Sequence, residues 1–382
     1  MRALLSAFAL PRVFAASKGA AFAAASGRGR EPSGHALQRG AVPQSNAPRR
    51  ALPVIDLGRL EAGAEERAHF LADLRRAARE VGFFYLTGHG VAAAQNGGLL
   101  AVARRFFALP DAQKQAVEMI HSPHFRGYTR AGREMTRGKP DWREQFDIGA
   151  ERECGWRAGD PAWMRLQGPN QWPQALPELR PALLAWQGAM TEVAIKLLRA
   201  FAEALGQSPD VFEPIYRGAP NQHIKIIRYP ERGEASDAAA SGQGVGPHKD
   251  SGFLSFILQD DVGGLEVEAA GRAWIEATPR EGAFVVNIGE LLELASNGYL
   301  RATVHRVVAP PPGRERLSAA FFLGASHEAT TPLLDLPAEF AAEAKGPDSD
   351  PDNPLLQHAG ANYLKGRLRS HPDVAQRHYD EL

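Results

Sequence analysis

The chain has 382 residues in which 44 Lys and Arg balance 44 Asp and Glu, so no global charge points to nucleic acid or an anionic membrane as a partner. Cys154 is the single cysteine, which excludes an intramolecular disulfide and any cysteine-based metal cluster and fits a reducing compartment. No apolar run approaches the ~18 residues that span a bilayer; a monomeric, cytoplasmic protein acting on a small molecule is the expectation.

The charge balance hides an asymmetry, because residues 1–50 carry eight basic residues and one acid, Glu31, leaving 36 against 43 in the rest. Residues 1–51 read as a leader outside the fold, either a disordered segment or an organelle transit peptide. The second reading would move the protein into an organelle. Pro53 to Leu57 then reads as a first strand, and Leu60 to Val81 as an amphipathic helix with Phe70, Leu71, Leu74, Ala78 and Val81 on one face. Gly82 stops it, and Phe83 to Leu86 is a buried strand. His89, held between Gly88 and Gly90, reads as a structural hydrogen-bonder.

Residues 92–118 look helical, with a break at Pro110, and a polar stretch from Phe125 to Asp147 follows. Residues 156–177 read as an irregular connection. Glu178 to Leu205 is the strongest helix: Leu179, Leu183, Trp186, Met190, Val193, Leu197, Phe201 and Leu205 step by three or four, and Gly206 closes it. Such a stripe is core, so this helix is scaffold backing a sheet.

Gln222 to Tyr229 alternates, with His223 a sheet histidine, and a Gly/Ser/Ala-rich loop at 233–246 leads to Gly246-Pro247-His248-Lys249-Asp250-Ser251-Gly252. Residues two apart in an extended segment share a face, so His248 and Asp250 converge on one point. His305, 55 residues past Asp250, can arrive on a later strand and complete two imidazoles and one carboxylate around an open-faced metal, the donor set of non-haem Fe(II) oxygenases. Between them lie short β-rich runs: Phe253 to Gln259, Leu265 to Glu268, and Ala283 to Gly289. Such spacing, with no long helix intervening, predicts an α+β fold, mainly β, with a double-stranded β-helix (jelly-roll) core backed by helices.

His248-x-Asp250, His305 and Arg316-x-Ser318 together resemble the signature of the Fe(II)- and 2-oxoglutarate-dependent dioxygenases, in the branch that includes isopenicillin N synthase. Leu52-Pro53-Val54-Ile55-Asp56-Leu57 and Gly82 to Val91 resemble that branch's N-terminal region. The resemblance implies an N-terminal dioxygenase region at 52–175, a backing helix at 176–221, the jelly-roll at 222–326, and C-terminal helices and tail at 327–382. It implies His248, Asp250 and His305 as iron ligands, with O2 and 2-oxoglutarate filling the open positions and ascorbate as a reductant. Arg316 would pair bidentately with the far carboxylate of 2-oxoglutarate and Ser318 would add a hydroxyl.

Tyr229-Pro230 resembles the end of the Asn-Tyr-Tyr-Pro strand found in many relatives, which implies Tyr229 as a further contact to 2-oxoglutarate, while Ile227 and Arg228 replace the first two positions. Arg314 competes with Arg316 but lacks the following x-Ser. Asn287 and Gly289 also match and read as turn-forming and structural. By the same analogy Arg126, Tyr128, Arg143 and Glu144 are substrate contacts, against the alternative of a solvated loop held by ion pairs. The implied activity converts 2-oxoglutarate to succinate and CO2 while hydroxylating or desaturating a small organic molecule. The alternatives are an ethylene- and succinate-forming enzyme using 2-oxoglutarate and arginine, an oxidase without 2-oxoglutarate, and a zinc-binding protein with no turnover.

Overall fold

Strand alternation sorts the side chains of this protein onto two faces, and among the described residues two large sheets result, beside a short two-stranded one, Met135–Thr136 with Lys139–Pro140. The computed structural model describes residues 51–218, 220–231, 243–269, 273–348, 350–351 and 353–382; the leader at 1–50 and most of the loop before His248 lie outside the described residues. Eight strands form the larger sheet in the order Val54–Asp56, Phe83–Thr87, Phe284–Ile288, Leu254–Gln259, Arg316–Gly324, Asn221–Tyr229, Glu144–Ile148 and Gly127–Thr129. The first pair is parallel and the rest are antiparallel. A four-stranded sheet, Trp274–Glu276, Leu265–Glu268, His305–Val308 and Gln243–His248, faces it. This is the double-sheet jelly-roll with helices behind.

Two apolar clusters follow from the two faces. On the strand Asn221–Tyr229, Ile224 and Ile226 join the cluster under the helices, whereas Ile227 and Tyr229 join the cluster between the sheets with Val245, Val267 and Val285. The backing helix spans Leu179–Ala204 and lays Leu183, Trp186, Met190, Leu197 and Phe201 on the outer face of the large sheet, each with no exposed surface. Each such side chain contributes roughly 1.5–3 kcal/mol by leaving water. The helix is scaffold, and the cavity lies on the other side of the sheet.

Upstream, the single helix expected from Leu60 is a tight turn, Leu57–Glu61, followed by a helix Ala64–Glu80, because Gly63 at φ 105° breaks the helical path. Gly82 ends it at φ 73°, where any Cβ would stand 2.4 Å from the Arg301 carbonyl. The segment 92–118 is two helices, Ala93–Phe107 and Asp111–Gln115, split at Pro110. At the C-terminus the helices Ala359–Ser370 and Pro372–His378 close over the open end of the sheets. Tyr379 pins them by donating to the Pro123 carbonyl at 2.6 Å while its ring stacks on Phe125.

Candidate active site

Two histidines and one aspartate meet at the mouth of the space between the sheets. His248 ends the strand Gln243–His248 and His305 begins its antiparallel neighbour, and register sets them directly opposite each other with ring centroids 4.2 Å apart. Asp250 lies beyond the strand end, so a turn swings its carboxylate back; strand alternation is not what aligns it with His248.

Asp250 Oδ1 stands 3.6 Å from His248 Nε2 and 3.8 Å from His305 Nε2. Each ring turns Nδ1 toward a main-chain carbonyl two residues back, Gly246 at 2.8 Å and Thr303 at 3.2 Å. An Nδ1–H donated there fixes the tautomer and leaves both Nε2 lone pairs facing Asp250 Oδ1. The other carboxylate oxygen, Oδ2, accepts from Ser255 Oγ at 2.6 Å and Asn287 Nδ2 at 2.8 Å. One carboxylate oxygen and two imidazole nitrogens therefore converge with ligand atoms within 4.8 Å of one another, a donor set that fits Fe(II).

Asn287 is thus no turn former: it sits mid-strand in Phe284–Ile288 and orients the aspartate. Gly289 is structural for a steric reason, since a Cβ there would lie 2.1 Å from the Gly252 carbonyl in the turn that carries Asp250. Electrostatics agrees with the geometry. Burial would lower His248, but the Asp250 carboxylate overrides it and raises the imidazole; burial and the neighbouring His248 push His305 down to about 4. Against the upward pull of burial, His305 and His248 hold the Asp250 carboxyl well below the usual carboxylate range.

An open cavity of about 490 Å³ joins the triad to Arg316, Ser318 and Tyr229. Arg316 is 1% exposed, yet among the described residues its hydrogen-bond partners are neutral: Nη2 donates to Gln259 Oε1 at 2.9 Å, Nη1 to Ser318 Oγ at 3.2 Å, and Nε has none. Asp260 spends its carboxylate on the amides of Leu317 and Val262. Among the described residues no carboxylate pairs directly with this buried guanidinium, which is costly, and an incoming carboxylate offsets the cost. Tyr229 lies opposite Arg316 in register, its ring centroid 4.9 Å from the guanidinium carbon. Arg314 pairs instead with Asp261 at the surface.

Of the four substrate-contact candidates, Arg126 and Arg143 line the cavity and are buried. Tyr128 and Glu144 do not. On Glu144–Ile148 the residues Glu144, Phe146 and Ile148 point toward the helices, and Glu144 is consumed there by Tyr128 Oη at 2.6 Å, Lys114 Nζ at 3.2 Å and Arg228 Nη1 at 2.7 Å. These two are structural, a correction to their reading as substrate contacts. His89 also holds the loop, contacting the Gly282 carbonyl and the Val91 amide.

Sequence reasoning missed Ser255, Gln259, Lys225, Glu134 and Arg367. Ser255 and Gln259 share parity on Leu254–Gln259, as Lys225 and His223 share parity with Tyr229, and alternation could have found them.

Residues 220–325 match the 2OG-Fe(II) oxygenase superfamily, and residues 52–175 match the N-terminal region described as that of a non-haem dioxygenase in morphine synthesis. A protein named 2-oxoglutarate-dependent dioxygenase frbJ, from Dothideomycetidae sp., is 34% identical over 86% of this chain and 91% of its own length. The chain belongs to the 2OG-Fe(II) oxygenase superfamily. Homoarginine-6-hydroxylase 2-ODD-C23.1 of Arabidopsis thaliana is 34% identical over 75% of this chain and 88% of its own. The crystal structure of a full-length Neurospora crassa protein in complex with alpha-KG superposes with a TM-score of 0.69 at 26% identity, covering 84% of this chain and 98% of that one.

This 2OG-Fe(II) oxygenase is therefore an Fe(II)- and 2-oxoglutarate-dependent dioxygenase. Among the described residues no helix is long and apolar enough to cross a membrane.

Proposed function

We propose that this dioxygenase hydroxylates a small polar molecule, with His248, Asp250 and His305 holding iron and Arg316, Ser318 and Tyr229 holding 2-oxoglutarate. The observation that carries the reading is the one cavity shared by the triad, Arg316 with its neutral hydrogen-bond partners, and a wall bearing both signs of charge, Glu134 beside Arg143 and Lys225. Bound iron there supplies O2-driven decarboxylation of 2-oxoglutarate to succinate and CO2, coupled to oxidation of a C–H bond. The chain's own residues position the reactants. Ser255 and Asn287 keep one Asp250 oxygen aimed inward, Arg316 fixes one end of 2-oxoglutarate, and the apolar Ile257, Val245 and Val307 exclude water around it.

A wall of mixed charge suits a zwitterion better than an apolar ring or a nucleic acid. L-Homoarginine and L-arginine are the first substrates to test, since the 34%-identical Arabidopsis relative is named a homoarginine hydroxylase. The protein acts as a monomer in the cytoplasm, or in an organelle where residues 1–50 serve as a transit peptide. Purified protein with Fe(II), 2-oxoglutarate, ascorbate and air should yield a hydroxylated product by mass spectrometry and stoichiometric succinate. Ethylene in the headspace with L-arginine would select the ethylene-forming reading instead. Neither product above a boiled control would contradict the proposed substrate class.

A further inference from the structure

At the far end of the cavity from Arg316, one side chain is held by a contact that cannot be fully satisfied. Arg367, on the C-terminal helix Ala359–Ser370, lines the cavity and keeps 19% of its side chain exposed. Among the described residues its partners are His223 and Asp147. Its Nη2 lies 2.8 Å from His223 Nε2, and its Nη1 only 3.4 Å from Asp147 Oδ1. That same His223 Nε2 lies 2.8 Å from Asp147 Oδ1.

One imidazole nitrogen serves a donor or an acceptor, not both. With its hydrogen on Nε2, His223 satisfies Asp147 and turns an N–H toward the Arg367 N–H. With the hydrogen on Nδ1, it accepts from Arg367 and turns a lone pair toward the carboxylate. Asp147 cannot relieve the conflict, because Oδ1 also faces Lys225 at 3.6 Å and Oδ2 accepts from Gln145. Burial and the Arg367 guanidinium push His223 down to about 3, so it is neutral and must choose.

The charge count leans the same way. In this buried network Arg126, Arg143, Lys225 and Arg367 face three carboxylates, Glu134, Asp141 and Asp147. Arg143 and Lys225 take Glu134, and Arg143 also meets Asp141. Among the described residues Arg126 donates only to the carbonyls of His124, Phe125 and Leu166. Within this network the surplus is cationic, and Arg367 is its most exposed member.

We propose that Arg367 is the substrate-gripping residue of this dioxygenase: it leaves His223 to bind a carboxylate of the substrate, and His223 then donates to Asp147 alone. This rests on the reading of the cavity as the site of a small polar substrate. Register places the grip near the metal: His223 pairs with Phe322, and Phe322 with Ser255, which holds Asp250. Two strand spacings are roughly 10 Å, so the gripped molecule is short.

The test compares each acid with its own carboxamide, so that folding and metal loading cancel. Wild type, Arg367→Lys and Arg367→Gln, loaded with Fe(II) and 2-oxoglutarate, would be assayed for ligand-stimulated succinate formation. The probes are L-homoarginine, L-arginine and the other proteinogenic L-amino acids, each beside its carboxamide. Wild type should favour at least one acid over its amide by about 30-fold or more in kcat/KM, a ratio falling below about 3 in Arg367→Gln and lying between in Arg367→Lys. A structural role for Arg367 would lower both members of a pair equally. Nitrogen-15 NMR of His223 should show hydrogen on Nε2 after the preferred acid binds.

A preference retained in Arg367→Gln, or no acid preferred over its amide by wild type, overturns the assignment. If another acid is preferred while homoarginine and arginine are inert, the substrates named above fail and the assignment of Arg367 stands.

Discussion

Removing Arg316 should separate iron binding from 2-oxoglutarate binding. Among the described residues this guanidinium has Ser318 and Gln259 as hydrogen-bond partners and an orphaned Nε, so the 2-oxoglutarate carboxylate would be its directly paired acid. Truncating one side of a buried, hydrogen-bonded charge pair costs about 2–5 kcal/mol. Arg316→Leu should therefore weaken 2-oxoglutarate roughly 30-fold to several-thousand-fold. Arg316→Lys keeps the charge and loses the fork, and should cost about 1.5–3 kcal/mol, roughly 10- to 100-fold.

A thermal-shift assay reads the same energy without turnover. At 100 times its dissociation constant, 2-oxoglutarate stabilises wild type by about 2.7 kcal/mol, which for a body of about 330 residues raises Tm by about 4 °C. At that concentration Arg316→Leu should shift by at most about 1.3 °C while binding metal as wild type does. Binding of 2-oxoglutarate to Arg316→Leu within threefold of wild type would refute the reasoning, because the co-substrate would then not need this cation.

Three further outcomes follow from the geometry. Asn287→Ala removes one of two donors that leave Asp250 a single inward oxygen, and should weaken metal binding 10- to 100-fold by titration, as loss of an outer hydrogen bond to a ligand typically does. Tyr128→Phe deletes the hydroxyl that donates to Glu144 on the helix side of the sheet; it should cost about 1.5–3 kcal/mol in urea unfolding and leave substrate KM unchanged, and a raised KM would restore Tyr128 to the substrate site. Burial, with Arg126, Arg152 and Arg367 nearby, pushes His327 down to about 3, so its folded pKa lies below the unfolded value of about 6.5 and the unfolded chain takes up the proton first. Stability is then complete above pH 6.5 and falls as the pH drops toward 3, by roughly 2 kcal/mol at pH 5 from this residue; His327→Gln should flatten the fall, and an unchanged pH profile would exclude the effect.

The jelly-roll and the triad are legible in the sequence because both rest on local pattern. Short alternating runs encode strands that must bury one face, and His248-x-Asp250, His305 and Arg316-x-Ser318 follow one another in the order of the dioxygenase signature. What escapes depends on facing and on distance along the chain. Glu144 reads as a cavity residue although its parity with Phe146 and Ile148 puts it under the helices, and only the strand's place in the sheet reveals which face is which. Asn287 resembles a turn residue because Gly289 follows, yet the strand runs through it. Arg367 carries no signal: 117 residues separate it from Asp250, and only the C-terminal helix folding back brings it to the cavity.

The most direct measurement is the visible absorption that appears when Fe(II) and 2-oxoglutarate bind together to the purified protein without oxygen, recorded for wild type and His305→Ala. Wild type should show a charge-transfer band that requires both additions, is absent in His305→Ala, and decays with formation of succinate when air is admitted. A band of equal strength in His305→Ala, or none in a wild-type protein shown to hold iron, would contradict the assignment of His248, Asp250 and His305 as the metal ligands.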